Sequence, residues 1–254
     1  MTFEMTPLMY PLLFGGALLA GWIDSIAGGG GMVTIPLLLG VGVPPQMVLG
    51  TNKFQASFGS FTAARHYVRK EVVPLPDAMP GIAFTLAGSA MGTVAVQQMD
   101  PSVLNVLIPF LLLFIAGYMV FTPSLGAVEA RPRMGRMLFY TIAGLALGFY
   151  DGFFGPGVGS FWAIAFVTGL GFDFTRATGY TKVMNFTSNI VSFFVFVAGG
   201  HVLWLPGIVM AAGQITGARL GSGMAVTKGS SFIRPIFIVA VILTTLKLLS
   251  DRLF

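Results

Sequence analysis

The sequence contains no cysteine and few charges: only 9% of its 254 residues are Asp, Glu, Lys or Arg. The missing cysteine excludes a disulfide framework, a thiolate metal site and a cysteine nucleophile. The scarcity of charge excludes more. A soluble domain is usually about 25% charged, and a chain with so few charges has no means of building a water-facing surface at this length. The N-terminal segment Met1 to Pro7 carries Glu4 and neither Lys nor Arg. A cleavable signal peptide wants a basic n-region, so the first apolar stretch reads as a retained span.

What is abundant fits a lipid solvent. Hydrophobic residues make up 55% of the chain and mean hydropathy is +0.85. The 34 Gly and 15 Pro do not signal disorder, because 24 Phe accompany them and disordered chains are poor in aromatics. Glycine is tolerated in membrane helices, where small residues let backbones approach. The formal charge of +5 comes from short loops between apolar runs, where basic residues orient a membrane protein and meet anionic headgroups. Nucleic acid is excluded as a partner, since no basic face lies free of the membrane.

The chain is therefore expected to be an all-α polytopic integral membrane protein with a single domain spanning 1–254. Apolar runs occupy 8–27, 78–97, 103–121, 137–154, 203–225 and 232–249, with two more polar ones at 51–68 and 179–199. Short runs at 32–43 and 158–171 are flanked by glycines and read as half-helices, tilted or re-entrant. The expectation is eight spans plus two short ones.

The halves echo each other. Gly21-Trp22-Ile23-Asp24 returns as Gly148-Phe149-Tyr150-Asp151, each followed by a glycine-rich turn. Thr51-Asn52-Lys53 returns near Tyr180-Thr181-Lys182, and Gly88-Ser89-Ala90-Met91-Gly92 as Gly217-Ala218-Arg219-Leu220-Gly221. The offsets are 127 for the aspartates and 129 for the other two pairs. Three matches in order at nearly constant spacing imply a duplicated unit, repeat 1 over 8–121 and repeat 2 over 137–250, with a cytoplasmic connection at 122–136. Charge sets their orientation. Arg65, Arg69 and Lys70 follow the first polar run, whereas Ala198 to Leu203 carry no Lys or Arg; Lys228 and Arg234 answer a loop near Asp100 that has no basic residue. Arg131, Arg133 and Arg136 mark the connection as inside, and Arg252 is the one misfit. By the positive-inside rule the repeats are inverted. Inverted repeats with glycine-broken helices point to secondary transport with a midplane site.

The candidate site follows from the duplication. Asp24 and Asp151 end apolar helices beside glycine turns; they read as anchors of the broken helices, capping N–H groups, or as proton-coupling acids. Gly28, Gly29 and Gly30, with Gly155 and Gly157, expose backbone N–H groups that can hold an anion. Lys53 and Lys182 open the two polar helices among Asn52, Gln55, Asn185 and Asn189; the last two share a face with Lys182. They read as an anion site, the alternative being snorkelling to headgroups. Gln214 joins the binding set, and Arg219 is either an anion contact or a topology residue. His66 and His201 read as surface loop residues. No motif calls for a metal, a cofactor or a catalytic nucleophile, so the chain is not expected to be an enzyme.

The segments Gly21 to Gly31, Gly50 to Gln55, Gly148 to Gly157, Thr181 to Asn189 and Gly213 to Gly221 together resemble the TauE/SafE family of membrane transporters. That resemblance implies a multi-pass permease of the bacterial inner membrane for sulfur oxyanions or organosulfonates, often an exporter. The implied partners are a small anionic solute and the lipid bilayer, with homo-oligomerisation left open. The alternatives to alternating-access transport are a passive anion channel and an intramembrane enzyme.

Overall fold

The computed structural model describes residues 6–100, 102–104, 107, 110 and 131–228. The run at 232–249, most of the run at 103–121 and of the 122–136 connection, and Glu4, Arg234 and Arg252 lie outside the described residues. Among the described residues there is no strand, and eight long or short helices fall on the remaining eight runs. They are α1 (Met9–Ala27), α2 (Gly31–Gly40), α3 (Pro45–Arg69), α4 (Leu75–Gln97), α5 (Arg136–Phe153), α6 (Val158–Leu170), α7 (Phe174–Ala198) and α8 (Trp204–Lys228).

Local chemistry sets their ends. α3 opens on Pro45, whose missing N–H is one the first turn leaves unpaired anyway. α7 opens on Asp173, whose carboxylate accepts the Arg176 N–H at 2.9 Å. Both helices therefore begin earlier than the apolar runs suggested, because hydropathy registers neither cap. Lys53 and Lys182 lie about two turns in, not at helix starts. His66, expected in a loop, sits in the last turn of α3 with Arg69.

Burial is the reverse of a water-soluble protein. Lys53, Lys182, Asp151, Asn52, Asn185 and Gln214 are buried, while Met79, Leu86, Ile142, Leu145, Ile208 and Leu220 face outward. Outward apolar surface on this scale marks contact with lipid. By length and composition α1, α4 and α7 are each able to cross a membrane. α2 and α6 have 10 and 13 residues, reaching roughly 15 and 20 Å against a hydrocarbon core of about 30 Å. Each is tied by a glycine turn to the long helix before it.

The halves interleave. α1 packs along α8, and α5 along α4; α3 and α7 lie against each other at the centre, flanked by α8 and α4 respectively. The first helix of each half thus lies on the fourth described helix of the other. Small residues make this approach close. A Cβ placed on Gly217 of α8 would stand 2.7 Å from the Trp22 N of α1, and one on Gly88 of α4 would stand 2.9 Å from the Phe149 N of α5. These are backbone contacts that cannot yield, the small-xxx-small packing of membrane helices.

Gly217→Val is expected to lower stability by about 1–3 kcal/mol through overpacking, read as a lower midpoint of thermal unfolding in detergent. Gly223→Ala, on the same helix with open space around it, is the control and should leave the midpoint unchanged or slightly raised.

Candidate functional site

The two glycine turns meet at the centre of the bundle. α1 ends at Ala27, and Gly28 and Gly29 turn the chain with φ of 81° and 95°. α5 ends at Phe153, and Gly155 and Gly157 do the same with 100° and 78°. The tips touch: a Cβ on Gly28 would lie 2.8 Å from the Gly159 Cα, and Ser160 Oγ donates to the Ala27 carbonyl at 3.2 Å. The first turns of α2 and α6 consequently open onto one shared cavity of about 30 Å³.

Two ion pairs cross between the halves at this cavity. Lys53 Nζ on α3 donates to Asp151 Oδ1 on α5 at 2.5 Å, with both side chains 2% exposed. Lys182 Nζ on α7 donates to Asp24 Oδ2 on α1 at 3.2 Å and to the Asp24 carbonyl. Each lysine therefore takes its carboxylate from the other half of the chain. Both lysines are fully buried, which removes the snorkelling alternative. The equivalent aspartates then diverge. Asp24 Oδ1 also accepts the Gly30 N–H at 3.1 Å, pinning the glycine turn, whereas Asp151 Oδ2 accepts the Ser188 hydroxyl.

Amides complete the lining. Lys53 Nζ also donates to Asn189 Oδ1 at 3.2 Å. Asn52 Oδ1 accepts from Thr34 at 2.6 Å and from Gln55 at 2.8 Å, which leaves its Nδ2 to meet a cavity occupant. Asn185 lines the cavity with its Oδ1 buried and unbonded among the described residues. Turning the amide over would present its N–H₂ instead, an assignment the hydrogen-bond network decides. Gln214 of α8 reaches the cavity because Gly21 and Gly59 leave room for its side chain.

Of the residues read from the sequence, Asp24, Asp151, Lys53, Asn52, Asn185, Asn189 and Gln214 line the cavity with Gly29, Gly30 and Gly155. Lys182, Gln55, Gly28 and Gly157 stand behind it: Lys182 against Asp24, Gln55 against Asn52, the glycines as turn formers. Arg219 is elsewhere, exposed in a separate groove with Arg65, His66 and Arg69. His201 lies in the loop after α7, its Nδ1 3.2 Å from Gln97 Oε1. Ser188, Thr34 and Gly159 were missed. Ser188 carried a signal, since it shares the helical face of Asn185 and Asn189; Thr34 carried none, because its role depends on α2 folding back over α3.

A family model described as "Sulfite exporter TauE/SafE" matches residues 13–248. The chain is 46% identical over 241 residues to a "Probable membrane transporter protein" of Haemophilus influenzae, covering 95% of this chain and 94% of that protein. It is 45% identical over 249 residues to "Probable membrane transporter protein YfcA" of Escherichia coli, covering 98% and 93%. A more distant relative, "Sulfite exporter TauE/SafE family protein 6" of Arabidopsis thaliana, is 28% identical over 145 residues, or 56% of this chain and 32% of its own. No solved structure matches the chain.

Lys53→Gln leaves the buried Asp151 carboxylate without its cation, and is expected to cost about 3–5 kcal/mol. Adding Asp151→Asn should return much of that loss. Equal unfolding midpoints for the single and double variants would show that the pair is not coupled.

Proposed function

The chain belongs to the sulfite exporter TauE/SafE family, and from that premise we propose that it moves a small anion, a sulfur oxyanion or organosulfonate, across the bacterial inner membrane by alternating access. The carrying observation is the pair of crossed Lys–Asp bridges beside a cavity onto which two half-helix N-termini open. Half-helix N-termini present unpaired N–H groups and a positive dipole end, suited to an oxyanion. Asn52, Asn185, Asn189 and Gln214 supply neutral hydrogen-bonding groups around it, with Lys53 the cation nearest the ligand and Lys182 the cation holding α1.

In this reading the unit runs over 1–254 as one multi-pass domain of two inverted repeats. The exchanged packing of α1 on α8 and α5 on α4 supports such a duplication. The charge asymmetry of equivalent loops supports the inversion. A cavity of about 30 Å³ has room for little more than water, so the site must widen to admit an anion. A site that must widen for each solute favours a carrier over a passive channel. Because each bridge joins the two repeats, movement of one repeat against the other strains both bridges together.

Chemistry ties the anion to the carboxylates. Asp151 and an incoming anion compete for Lys53, and a proton on Asp151 removes that competition. The arrangement thus favours anion and proton occupying the site together, with Asp24 remaining the anchor of its glycine turn.

The test is reconstitution in liposomes, with currents recorded on solid-supported membranes during jumps of sulfite, thiosulfate, sulfate, acetate and short sulfonates. Saturable transport selective for a sulfur oxyanion or sulfonate is expected, abolished by Lys53→Gln with Lys182→Gln. Undiminished transport by that double variant, once it is shown to be folded, would sink the site assignment. Radiolabel counterflow covers electroneutral exchange and should be present for a carrier and absent for a channel.

A further inference from the structure

A second basic site lies away from the Lys–Asp cavity, between α3 and α8. Residues 61–69 of α3 run beside residues 215–222 of α8, with Phe61 and Ile215 nearer the middle of their helices and Arg65, Arg69 and Arg219 nearer the ends. The groove has a volume of about 300 Å³ and is open to the surface. None of the three guanidiniums has a carboxylate partner among the described residues. At its floor Ser222 is fully buried, and its hydroxyl has no hydrogen-bond partner among the described residues. A buried hydroxyl left unpaired beside three unpaired arginines marks a place for an oxygen-rich anion.

The faces involved identify the source of that anion. On α3 the outward stripe runs Phe58, Phe61, Arg65, Arg69, at helical spacing, with Phe58 and Phe61 41% and 49% exposed. On α8 it runs Ile208, Ile215, Arg219, with the isoleucines 55% and 39% exposed. Each stripe is apolar and then switches to arginine, the profile of a surface that passes from acyl chains to headgroups. A solute pathway would instead be walled off from lipid by the outer helices. We propose that this groove binds the phosphate headgroup of an anionic phospholipid. Arg65, Arg69 and Arg219 grip its phosphate oxygens, Ser222 donates to one of them, and an acyl chain lies along Phe61 and Ile215. Planar guanidiniums pair with phosphate oxygens two at a time. The assignment requires only that the chain be embedded in a membrane, and holds whatever solute the central cavity takes.

The full chain, purified in detergent, is titrated with short-chain phosphatidylglycerol, with phosphatidylcholine and with inorganic phosphate. Lipid retention is read by native mass spectrometry and stabilisation by the unfolding midpoint. Phosphatidylglycerol should bind at least tenfold more tightly than phosphatidylcholine. With juxtamembrane arginines contributing additively, Arg65→Gln, Arg69→Gln and Arg219→Gln together should weaken phosphatidylglycerol binding on the order of a hundredfold. The matching triple lysine variant should keep part of the preference, and Ser222→Ala should weaken binding less. Should the triple glutamine variant not fold, Arg219→Gln alone, at an exposed position, should weaken binding roughly fivefold. Equal binding of the two lipids by the unaltered protein, or an unchanged preference in the glutamine variants, overturns the proposal. So does stabilisation by inorganic phosphate that matches phosphatidylglycerol, which would make the groove a site for free anions.

Discussion

The rest of this structure depends on a constraint of low-dielectric chemistry: an ionised lysine inside a lipid-embedded bundle must have a carboxylate in contact with it. Lys53 and Lys182 both sit about two turns inside central helices, too deep to reach headgroups. Neither half of the chain supplies its own counter-charge. The pairing of Lys53 with Asp151 and of Lys182 with Asp24 therefore requires the halves to fold into each other. Four long helices are locked in relative position by two contacts, and the glycine turns that follow the aspartates are placed as a consequence.

Close backbone approach makes that interleaving feasible. Asp24 and Asp151 reach the centre because α1 and α5 are drawn tight against α8 and α4 by facing small residues such as Gly217 and Gly88. Lipid tails are as apolar as the helix surfaces, so packing and buried polar contacts, not water exclusion, hold these helices together. The same logic explains the distribution of the cations. Lys53 and Lys182 in the bundle are paired, while Arg65, Arg69 and Arg219 end the outward stripes of α3 and α8 without a carboxylate partner among the described residues.

The two Asp–Gly motifs that echo each other in the sequence hold different partners. Asp24 uses one oxygen to fix the Gly30 N–H and the other to hold Lys182, so it is structurally committed. Asp151 has no such tie to its own glycine turn and instead accepts from Lys53 and Ser188. The position equivalent to Ser188 in the first half is a glycine, Gly59, which makes room for Gln214. Asp24 thus holds both a lysine and its own glycine turn, whereas Asp151 holds a lysine and a serine of α7.

Much of this was legible in the sequence, since it depends on local composition and on a repeat. The membrane class followed from the scarcity of charge, the helices from the apolar runs, the broken-helix turns from glycine clusters, and the polar stripe of α7 from Lys182, Asn185 and Asn189 at helical spacing. Helix starts were misplaced because Pro45 and Asp173 act through capping, which hydropathy does not register. Arg219, read as either an anion contact or a topology residue, lies outside the cavity that Gln214 lines, because five residues along a helix turn a side chain to a different face. The crossing of the ion pairs was beyond the sequence altogether. Lys53 and Asp151 are 98 residues apart and Lys182 and Asp24 are 158 apart, and two lysines with two aspartates admit pairing within or between the halves with equal chemical sense. The sequence by itself determined which groups had to be neutralised in the membrane. Only the tertiary structure decided which carboxylate serves which lysine, because that choice is made by the close packing of helices from opposite halves.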